Sequence, residues 1–282
     1  MPSPDIYPHL LVIFVAGLVV GSFLNVVIHR LPLQMQSAWR RESLDFLGMP
    51  PEGEIPRLNL AFPASHCPHC SEPIKPWHNV PVLSYLLLRG KCHHCKAPIS
   101  IQYPLVELAT ALLATLAISH FGLTAEGALA VLFSIALIVL TGIDFRHQLL
   151  PDIITLPLLW LGLLANSQGL FTDLNSAVIG AVAGYLVLWL VFWGFKLLTG
   201  KEGMGHGDFK LLAALGAWLG WQLLPLIVLL SSAVGAVIGI AAIAIAGRDR
   251  QIPMAFGPYL AIAGWIAMFW GEAMVERYLA LL

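Results

Sequence analysis

Eight apolar segments follow one another along this chain of 282 residues, and each is close to the ~20 residues that an α-helix needs to cross a bilayer. They lie at 8–28, 104–120, 127–143, 153–171, 174–197, 209–224, 226–246 and 255–275. Only 11% of the residues are charged, against about 25% in a soluble domain, which excludes a water-soluble globular enzyme. We therefore predict an all-α polytopic membrane protein with about eight transmembrane helices, of which the sixth and seventh are separated by Pro225 alone.

The segment 31–103, between the first two predicted spans, differs from the rest of the chain. It is rich in proline, carries many basic residues and contains all four cysteines. It is too small to build a large core unaided, and a structural metal would supply the missing stability. We therefore divide the chain into a first transmembrane helix at 1–30, a soluble module at 31–103 and a transmembrane domain at 104–282.

Basic residues predict how these segments are oriented. If the module is cytoplasmic, fourteen of the fifteen Lys and Arg residues fall on the cytoplasmic side, including Arg57, Arg248 and Arg250, and only Arg277 falls on the other side. This asymmetry follows the positive-inside rule. We expect both termini to lie outside the cytoplasm. The net charge of −1 gives no basic surface for nucleic acid, so the predicted surroundings are lipid.

The four cysteines form two pairs with the spacing of a metal site. Cys67-Pro-His-Cys70 is followed, after 21 residues, by Cys92-His-His-Cys95. Two such knuckles suit tetrahedral zinc, and four bound sulfurs leave no position open for water, so the site would be structural. The alternatives are four reduced cysteines without metal, or two disulfides, which a cytoplasmic location disfavours. The three histidines inside the knuckles, His69, His93 and His94, are alternative ligands, but we expect them to be solvated or to lie beside the metal without binding it.

Four carboxylates lie within or beside predicted spans, where charged side chains are costly and indicate function: Glu107, Asp144, Asp152 and Asp208. The predicted topology puts the three aspartates at the cytoplasmic face, on three different helices. Two carboxylates that share a site resist ionising together and hold one proton between them. Such a pair activates water against a peptide carbonyl, because one group takes the proton of the water and the other polarises the carbonyl.

Structural roles for these acids are the alternatives. Asp152 precedes an apolar run, which favours a helix N-cap, and Asp208 is a second candidate cap. Glu107 either caps its helix or pairs with a basic residue. Asp144 ends a helix, where the helix dipole disfavours an anion, so a merely structural role is less expected for it.

The residues around Asp208 have predicted supporting roles. Gly205 and Gly207 let the backbone approach a substrate strand closely. Lys210 either pairs with an aspartate or faces the headgroups.

Motifs that span most of the chain support the enzyme hypothesis. They lie at 21–32, 67–70, 79–85, 88–95, 103–108, 144–152, 205–210 (Gly-His-Gly-Asp-Phe-Lys) and 256–259 (Phe-Gly-Pro-Tyr). In this order the chain resembles the type IV prepilin peptidases, a family of bifunctional leader peptidases and N-methyltransferases of the Gly-x-Gly-Asp aspartic protease type. The resemblance implies that Asp144 and Asp208 are the catalytic pair. Ala64 departs from the family pattern, in which arginine is frequent at this position.

The resemblance also implies a reaction. Members of the family cut the basic leader from prepilins and pseudopilins after a glycine at the cytoplasmic face of a bacterial inner membrane. They then methylate the new N-terminal residue, usually phenylalanine, with S-adenosylmethionine. Members without the cysteine module can be peptidases only, so its presence favours both activities. The residues do not locate the methyl-donor site, and we expect it near Gly90 and Glu107.

Two competing hypotheses come from other functional classes. In a transporter or channel, the membrane carboxylates would bind a cation or relay protons. The chain shows no internal repeat, and its aspartates are predicted at one edge of the membrane instead of the midplane, which disfavours this hypothesis. In a non-enzymatic scaffold of a secretion machine, the cysteine module would be a docking site.

Overall fold

The computed structural model describes residues 7–50, 59–201, 203–246 and 255–281. Within these ranges the chain is α-helical, and β-structure is limited to two isolated bridges. The helices are α1 (Tyr7–Leu47), α2 (Leu83–Leu87), α3 (Gln102–Phe121), α4 (Ala125–His147), α5 (Asp152–Asn166), α6 (Leu174–Thr199), α7 (His206–Leu219), α8 (Leu224–Ala246) and α9 (Gly257–Leu279). Three residues of the topology argument, Arg57, Arg248 and Arg250, lie outside the described residues.

Six of the described helices are long and apolar enough to cross a membrane: α1, α3, α4, α6, α8 and α9. The fourth and sixth predicted spans correspond to α5 and α7, which have 15 and 14 residues. At 1.5 Å per residue they are ~22 and ~21 Å long, less than the ~30 Å hydrocarbon core. The predicted multi-pass helical class is therefore confirmed, whereas the number of eight transmembrane helices stays a prediction.

Two helix boundaries differ from the sequence-based prediction. α1 has 41 residues and continues to Leu47, well beyond the predicted end of its span, because charged residues end an apolar run without ending an α-helix. The predicted boundary at Pro225 is wrong. α7 ends at Leu219, where Gly220 adopts φ +78°, and Pro225 lies in the first turn of α8. Proline is tolerated there because the first N–H groups of a helix have no intrahelical partner.

Contacts divide the chain into two compact units, Met1–Val131 and Leu132–Leu282, with the boundary inside α4. In the first unit α1 and α3 run antiparallel in close contact. A Cβ on Gly17 would lie 2.6 Å from the Cα of Ala111, and Asn25 donates a hydrogen bond to the Tyr103 carbonyl at 3.1 Å. Small residues and interhelical hydrogen bonds of this kind join membrane helices. The sequence-based domain division at 103/104 remains a prediction.

In the second unit α7 is the central helix. From Leu211 to Leu219 every residue is buried, which explains why its sequence is apolar on all sides. α5 runs parallel to it, and the Trp218 indole N–H donates to the Leu158 carbonyl at 2.8 Å. α6 runs antiparallel to it, and a Cβ on Gly184 would lie 2.6 Å from the Leu212 carbonyl oxygen. α5 and α7 therefore begin at the edge at which α6 ends.

This close approach predicts a difference between two glycines of α6. Gly184→Ala is expected to lower the free energy of unfolding by about 1–3 kcal/mol, because the backbone of α7 must move away. Gly194→Ala is the matched control on the same helix, since a Cβ there meets no atom within 4 Å. It is expected to be neutral or to stabilise by up to about 1 kcal/mol. Thermal unfolding in detergent compares the two, and equal effects would contradict the packing described.

Candidate active site and metal centre

One edge of the second unit brings together the end of α4 and the beginnings of α5, α7 and α9. The backbone N–H of Gly257, at the start of α9, donates to the Asp144 carboxylate at 3.0 Å. The Lys210 ammonium, in the first turns of α7, lies 2.7 Å from the Asp152 carboxylate at the start of α5. Asp144, Asp152 and the beginning of α7 therefore lie at a common edge.

Asp144 is buried in the last turn of α4, with 5% of its surface exposed. The C-terminal dipole of its own helix disfavours a negative charge there. The hydrogen bond from Gly257 offsets this, because the first N–H groups of α9 have no intrahelical partner and carry partial positive charge. The N-terminus of a second helix thus supports the carboxylate.

Asp208 is the third residue of α7 and is 6% exposed. The N-cap of α7 is Gly205, so Asp208 lies in the first turn and is not the cap that the sequence offered as an alternative. The His206 ring packs on Phe192 of α6 at 5.1 Å. Asp208, on α7, therefore faces the part of α6 between this contact and the Gly184–Leu212 contact. Measured along the axis of α6, Lys196 lies ~11 Å closer to the C-terminal end of that helix than Asp208 does.

Asp144 and Asp208 lie at this common edge, because Leu150 packs against both Gly257, which donates to Asp144, and Gly207, which directly precedes Asp208. Both carboxyl groups are almost completely buried, so water screens their repulsion weakly. Each also lies at a helix N-terminus, that of α9 for Asp144 and that of α7 for Asp208, where a negative charge is favoured. This environment suits a pair of carboxyl groups that together carry one negative charge and one proton.

Leu150 and Gly257 shape the site, and the sequence assigned neither of them a role. A Cβ on Gly257 would lie 2.7 Å from the Asp144 carboxylate oxygen Oδ2 and 3.1 Å from Leu150 Cδ2. A Cβ on Gly207 would lie 2.7 Å from Leu150 Cβ. Leu150 thus packs against the starts of both α7 and α9. The sequence does contain a signal that could have identified Gly257: a Gly-Pro pair just before an apolar run marks the N-terminus of a helix.

The predicted supporting residues have distinct environments. Asp152 is the first residue of α5, whose N-cap is Pro151, so the N-cap prediction for Asp152 is wrong. Its carboxylate, 52% exposed, receives both hydrogen bonds that Lys210 donates, at 2.7 and 2.8 Å. A Cβ on Gly205 would make only an ordinary contact, 3.6 Å from the Asp208 carboxylate.

Gly257→Ala is expected to lower the kcat of a reaction that uses Asp144 by about 10- to 100-fold, because a displacement below 1 Å at a reacting group has effects of this size. The added methyl group would push the Asp144 carboxylate and Leu150 apart. Gly205→Ala, with its nearest atom at 3.6 Å, is expected to have a smaller effect. Steady-state kinetics of both purified variants checks this. A wild-type kcat for Gly257→Ala would show that the Asp144 position is not critical.

The first unit contains the cysteine knuckles, and their backbones repeat each other at an offset of 25 residues. The Cys67 N–H donates to the Glu72 carbonyl at 3.0 Å, and the Cys92 N–H donates to the Ala97 carbonyl at 2.8 Å. An isolated β-bridge closes each turn, and the residue after the second cysteine has positive φ in both. Each knuckle is therefore the same tight turn, which directs two sulfurs to one side.

The four sulfur atoms lie within 4.8 Å of one another. Those of Cys67 and Cys95 are 3.8 Å apart, which matches the ~3.8 Å edge of a tetrahedron whose metal–sulfur bonds are ~2.3 Å. The N–H groups of His69 and Cys70 lower the pKa of the Cys67 thiol to about 7, and those of Cys95 and His94 lower the pKa of Cys92. All four cysteines are free thiols, so the set fits a metal ion instead of two disulfides.

Comparison with known proteins links both units to one family. The family model "Bacterial Peptidase A24 N-terminal domain" matches residues 15–121, and "Type IV leader peptidase family" matches residues 131–240. A protein of Pseudomonas aeruginosa named prepilin leader peptidase/N-methyltransferase is 55% identical over 263 residues, which is 93% of this chain and 91% of that protein. The chain belongs to the type IV leader peptidase family. The membership that the motifs predicted is thereby confirmed.

Other members of the type IV leader peptidase family show the same extent of similarity. A protein of the same name from Aeromonas hydrophila is 55% identical over 269 residues, covering 95% of this chain and 92% of its own. One from Legionella pneumophila is 48% identical, covering 95% and 94%. The comparison with solved structures gives no match. Membership in a family of leader peptidases favours the enzyme hypothesis over the transporter, channel and scaffold alternatives.

The family model for the N-terminal domain also includes Gly90 and Glu107, the two residues predicted near a methyl-donor site. Glu107 is buried in α3, and its carboxylate accepts a hydrogen bond from the Val82 N–H at 2.7 Å. Among the described residues no basic side chain forms an ion pair with it. Gly90 has φ +67° and packs on the Tyr85 ring. Val82 is the N-cap of α2 and Tyr85 is part of α2, so this short helix links the two residues.

Proposed function

We propose that this membrane enzyme cuts the basic leader from prepilins and pseudopilins with Asp144 and Asp208, after a glycine at the cytoplasmic membrane face. It then methylates the new N-terminus with S-adenosylmethionine. The observation that carries the peptidase proposal is the placement of two buried carboxyl groups, from α4 and α7, at one edge of the second unit. The relatives that bear the name prepilin leader peptidase/N-methyltransferase support both activities.

The aspartate pair hydrolyses the peptide bond through water. The ionised carboxylate takes a proton from the water molecule while the water oxygen attacks the scissile carbonyl. The protonated carboxyl group donates a hydrogen bond to the carbonyl oxygen, where negative charge develops. When the C–N bond breaks, the leaving nitrogen takes a proton. The products are a leader with a C-terminal carboxylate and a mature protein with a free amine.

The environment of the pair fits a cut at the membrane boundary. Arg146, Lys196 and Lys210 lie near the edge where α4 and α6 end and α7 begins, and by the positive-inside rule this edge is cytoplasmic. Measured along the axis of α6, Asp208 of α7 lies ~11 Å from the level of Lys196, in the direction of the apolar part of the unit. We propose that α5 and α7, the fourth and sixth predicted spans, also cross the membrane, with α7 surrounded by neighbouring helices from Leu211 to Leu219.

The methylation step belongs to the first unit. S-adenosylmethionine supplies an electrophilic methyl group, which the free amine accepts with loss of a proton, leaving a thioether. We place the methyl-donor site near Gly90 and Glu107, on either side of α2. Val82, which donates its N–H to Glu107, has φ +59°, a conformation that β-branched residues rarely adopt and that often marks functional sites.

Zinc is the proposed metal of the cysteine knuckles, with Cys67, Cys70, Cys92 and Cys95 as its ligands. Its role is structural, because four thiolates complete a tetrahedral shell and leave no place for a reacting water. The metal holds two short turns together in a segment that has little apolar core of its own. His69, His93 and His94 then lie beside the metal without binding it.

Mass spectrometry of the N-terminus of a co-expressed prepilin tests both activities at once. We expect the mature chain to begin at the residue after the cleaved glycine, with its mass raised by one methyl group. A prepilin that keeps its leader would reject the peptidase proposal. A shortened prepilin without the methyl group would reject the second activity alone.

A further inference from the structure

An apolar groove lies beside the proposed catalytic pair in the second unit, between α6 and α8. Its volume is about 330 Å³. One face of α6, with Leu188 and Val191, forms one wall, and one face of α8, with Ser232 and Ala236, forms the other. None of the described side chains that line it is charged. The small residues on α8 are what keeps the space between the two helices open.

One end of the groove lies beside the two chain segments that hold the proposed catalytic residues in place. Met204 lines it and directly precedes Gly205, the N-cap of the helix that carries Asp208. Phe256 also lines it and directly precedes Gly257, whose N–H donates to Asp144. A ligand seated in the mouth of the groove would therefore contact the segment that leads into α7 and the segment that leads into α9, the two helices whose first turns hold Asp208 and support Asp144.

The other end of the groove points away from the charged edge. α8 and α9 run antiparallel, with Gly235 beside the Tyr259 ring and Leu223 beside Gly271. The groove follows α8 from Ala236 to Val228, a distance of ~12 Å at 1.5 Å per residue. It thus leads from the carboxyl pair into the apolar part of the unit, opposite to the basic residues at the edge.

We propose that this groove binds the apolar segment of the substrate that follows the cleaved bond, with the first side chain of that segment against Met204, Phe256 and Tyr259. The inference rests on the proposed function, since it requires that the carboxyl pair cuts a leader. A polypeptide whose basic part stays at the charged edge can continue only toward the apolar part. The sulfur and the two rings at the mouth favour an aromatic side chain.

Filling the groove tests this assignment by its effect on specificity. Ala236→Trp places a large side chain in the α8 wall, and Val237→Trp, on the adjacent and 68% exposed position outside the lining, is the matched control. Each full-length variant is assayed in detergent with two prepilins that differ only in the first mature residue, phenylalanine or alanine. The measured quantity is the ratio of kcat/KM for the two substrates.

We expect Ala236→Trp to lower kcat/KM for the phenylalanine substrate at least about tenfold relative to the alanine substrate, because it removes the space for a large apolar side chain. The Val237→Trp ratio should equal that of the wild type. Ser232→Leu adds a smaller side chain to the same wall of the groove and should shift the ratio in the same direction. It replaces Ala236→Trp in the test if that variant does not fold.

An unchanged ratio in a folded, active groove variant would overturn the assignment. A groove that holds a lipid acyl chain would give this result, because the substrate side chain would then bind elsewhere. If the wild-type enzyme cleaves the phenylalanine prepilin, an unchanged ratio rejects only the groove assignment and leaves the proposed peptidase function standing. If the wild type cuts neither prepilin, the peptidase proposal itself is wrong and the groove assignment falls with it.

Discussion

Replacing either Asp144 or Asp208 with asparagine is expected to lower the rate of leader cleavage by at least about 10³-fold. An amide can neither take the proton of the attacking water nor give one to the leaving group, and paired catalytic groups act as a unit. Asparagine has nearly the same shape as aspartate, and at position 144 its carbonyl oxygen still accepts the Gly257 N–H. The variants should therefore fold, insert and melt like the wild type.

Asp152→Asn is the matched control for this loss. Asp152 lies at the same edge but is half-exposed and pairs with Lys210. Its replacement removes one ion pair, worth about 0–1 kcal/mol when exposed, so substantial peptidase activity should remain. The readout is the mobility shift of a prepilin mixed with each purified variant. Wild-type cleavage by the Asp144 or Asp208 variant would reject the pair, and complete loss in Asp152→Asn would mean that Asp152 is one of the catalytic acids.

Removing the metal from the knuckles is expected to unfold the cysteine module and abolish methylation while cleavage continues. Binding free energies of structural zinc in small peptides are about 10–16 kcal/mol, more than a module of this size can replace by packing. Cys67→Ser breaks the tetrahedral set, whereas His94→Ala leaves four sulfurs in place and should keep both metal and methylation. Zinc content and prepilin N-terminal mass are measured for each variant.

Two results would contradict this role of the metal. A stable chain in which all four cysteines are replaced, without zinc but with wild-type methylation, would show that the module does not depend on metal. Loss of zinc in His94→Ala would show that a histidine replaces one of the four cysteines as ligand. The 3.8 Å separation of the Cys67 and Cys95 sulfurs favours the four-cysteine set.

Much of the architecture could be predicted from the sequence because lipid imposes a simple rule on it. Apolar runs of about 20 residues become helices, and six of the eight predicted spans meet the length and composition of a membrane span. The length and hydropathy of a segment do not show which other helices pack against it. α7 is too short to span the core alone, and it is apolar because protein surrounds it on all sides. The end of α1 at Leu47 was missed because helix propensity, not hydropathy, decides where that helix stops.

For the candidate site too, one part could be predicted from the sequence and another part could not. The sequence singled out the acids and cysteines as candidates, because a charge in an apolar segment is costly and paired thiols have a recognisable spacing. The support of Asp144 was not predicted, because it is a contact between distant segments: the hydrogen bond from Gly257 to Asp144 joins residues 113 positions apart. For Lys210 the sequence offered an aspartate partner as one of two alternatives, but it did not show that the partner is Asp152, 58 positions away. Such contacts follow from packing, which a single sequence does not reveal.

Cross-linking of residues 144 and 208 tests most directly whether two acids from distant helices share one site. In a zinc-loaded variant with Asp144→Cys and Asp208→Cys, a short thiol-to-thiol cross-linker should join the two positions, and mass spectrometry of the digest should identify the linked peptides. The pair Asp152→Cys and Asp208→Cys provides the comparison at the same edge. Single modification of both residues 144 and 208 without any link between them would show that the two carboxyl groups do not meet.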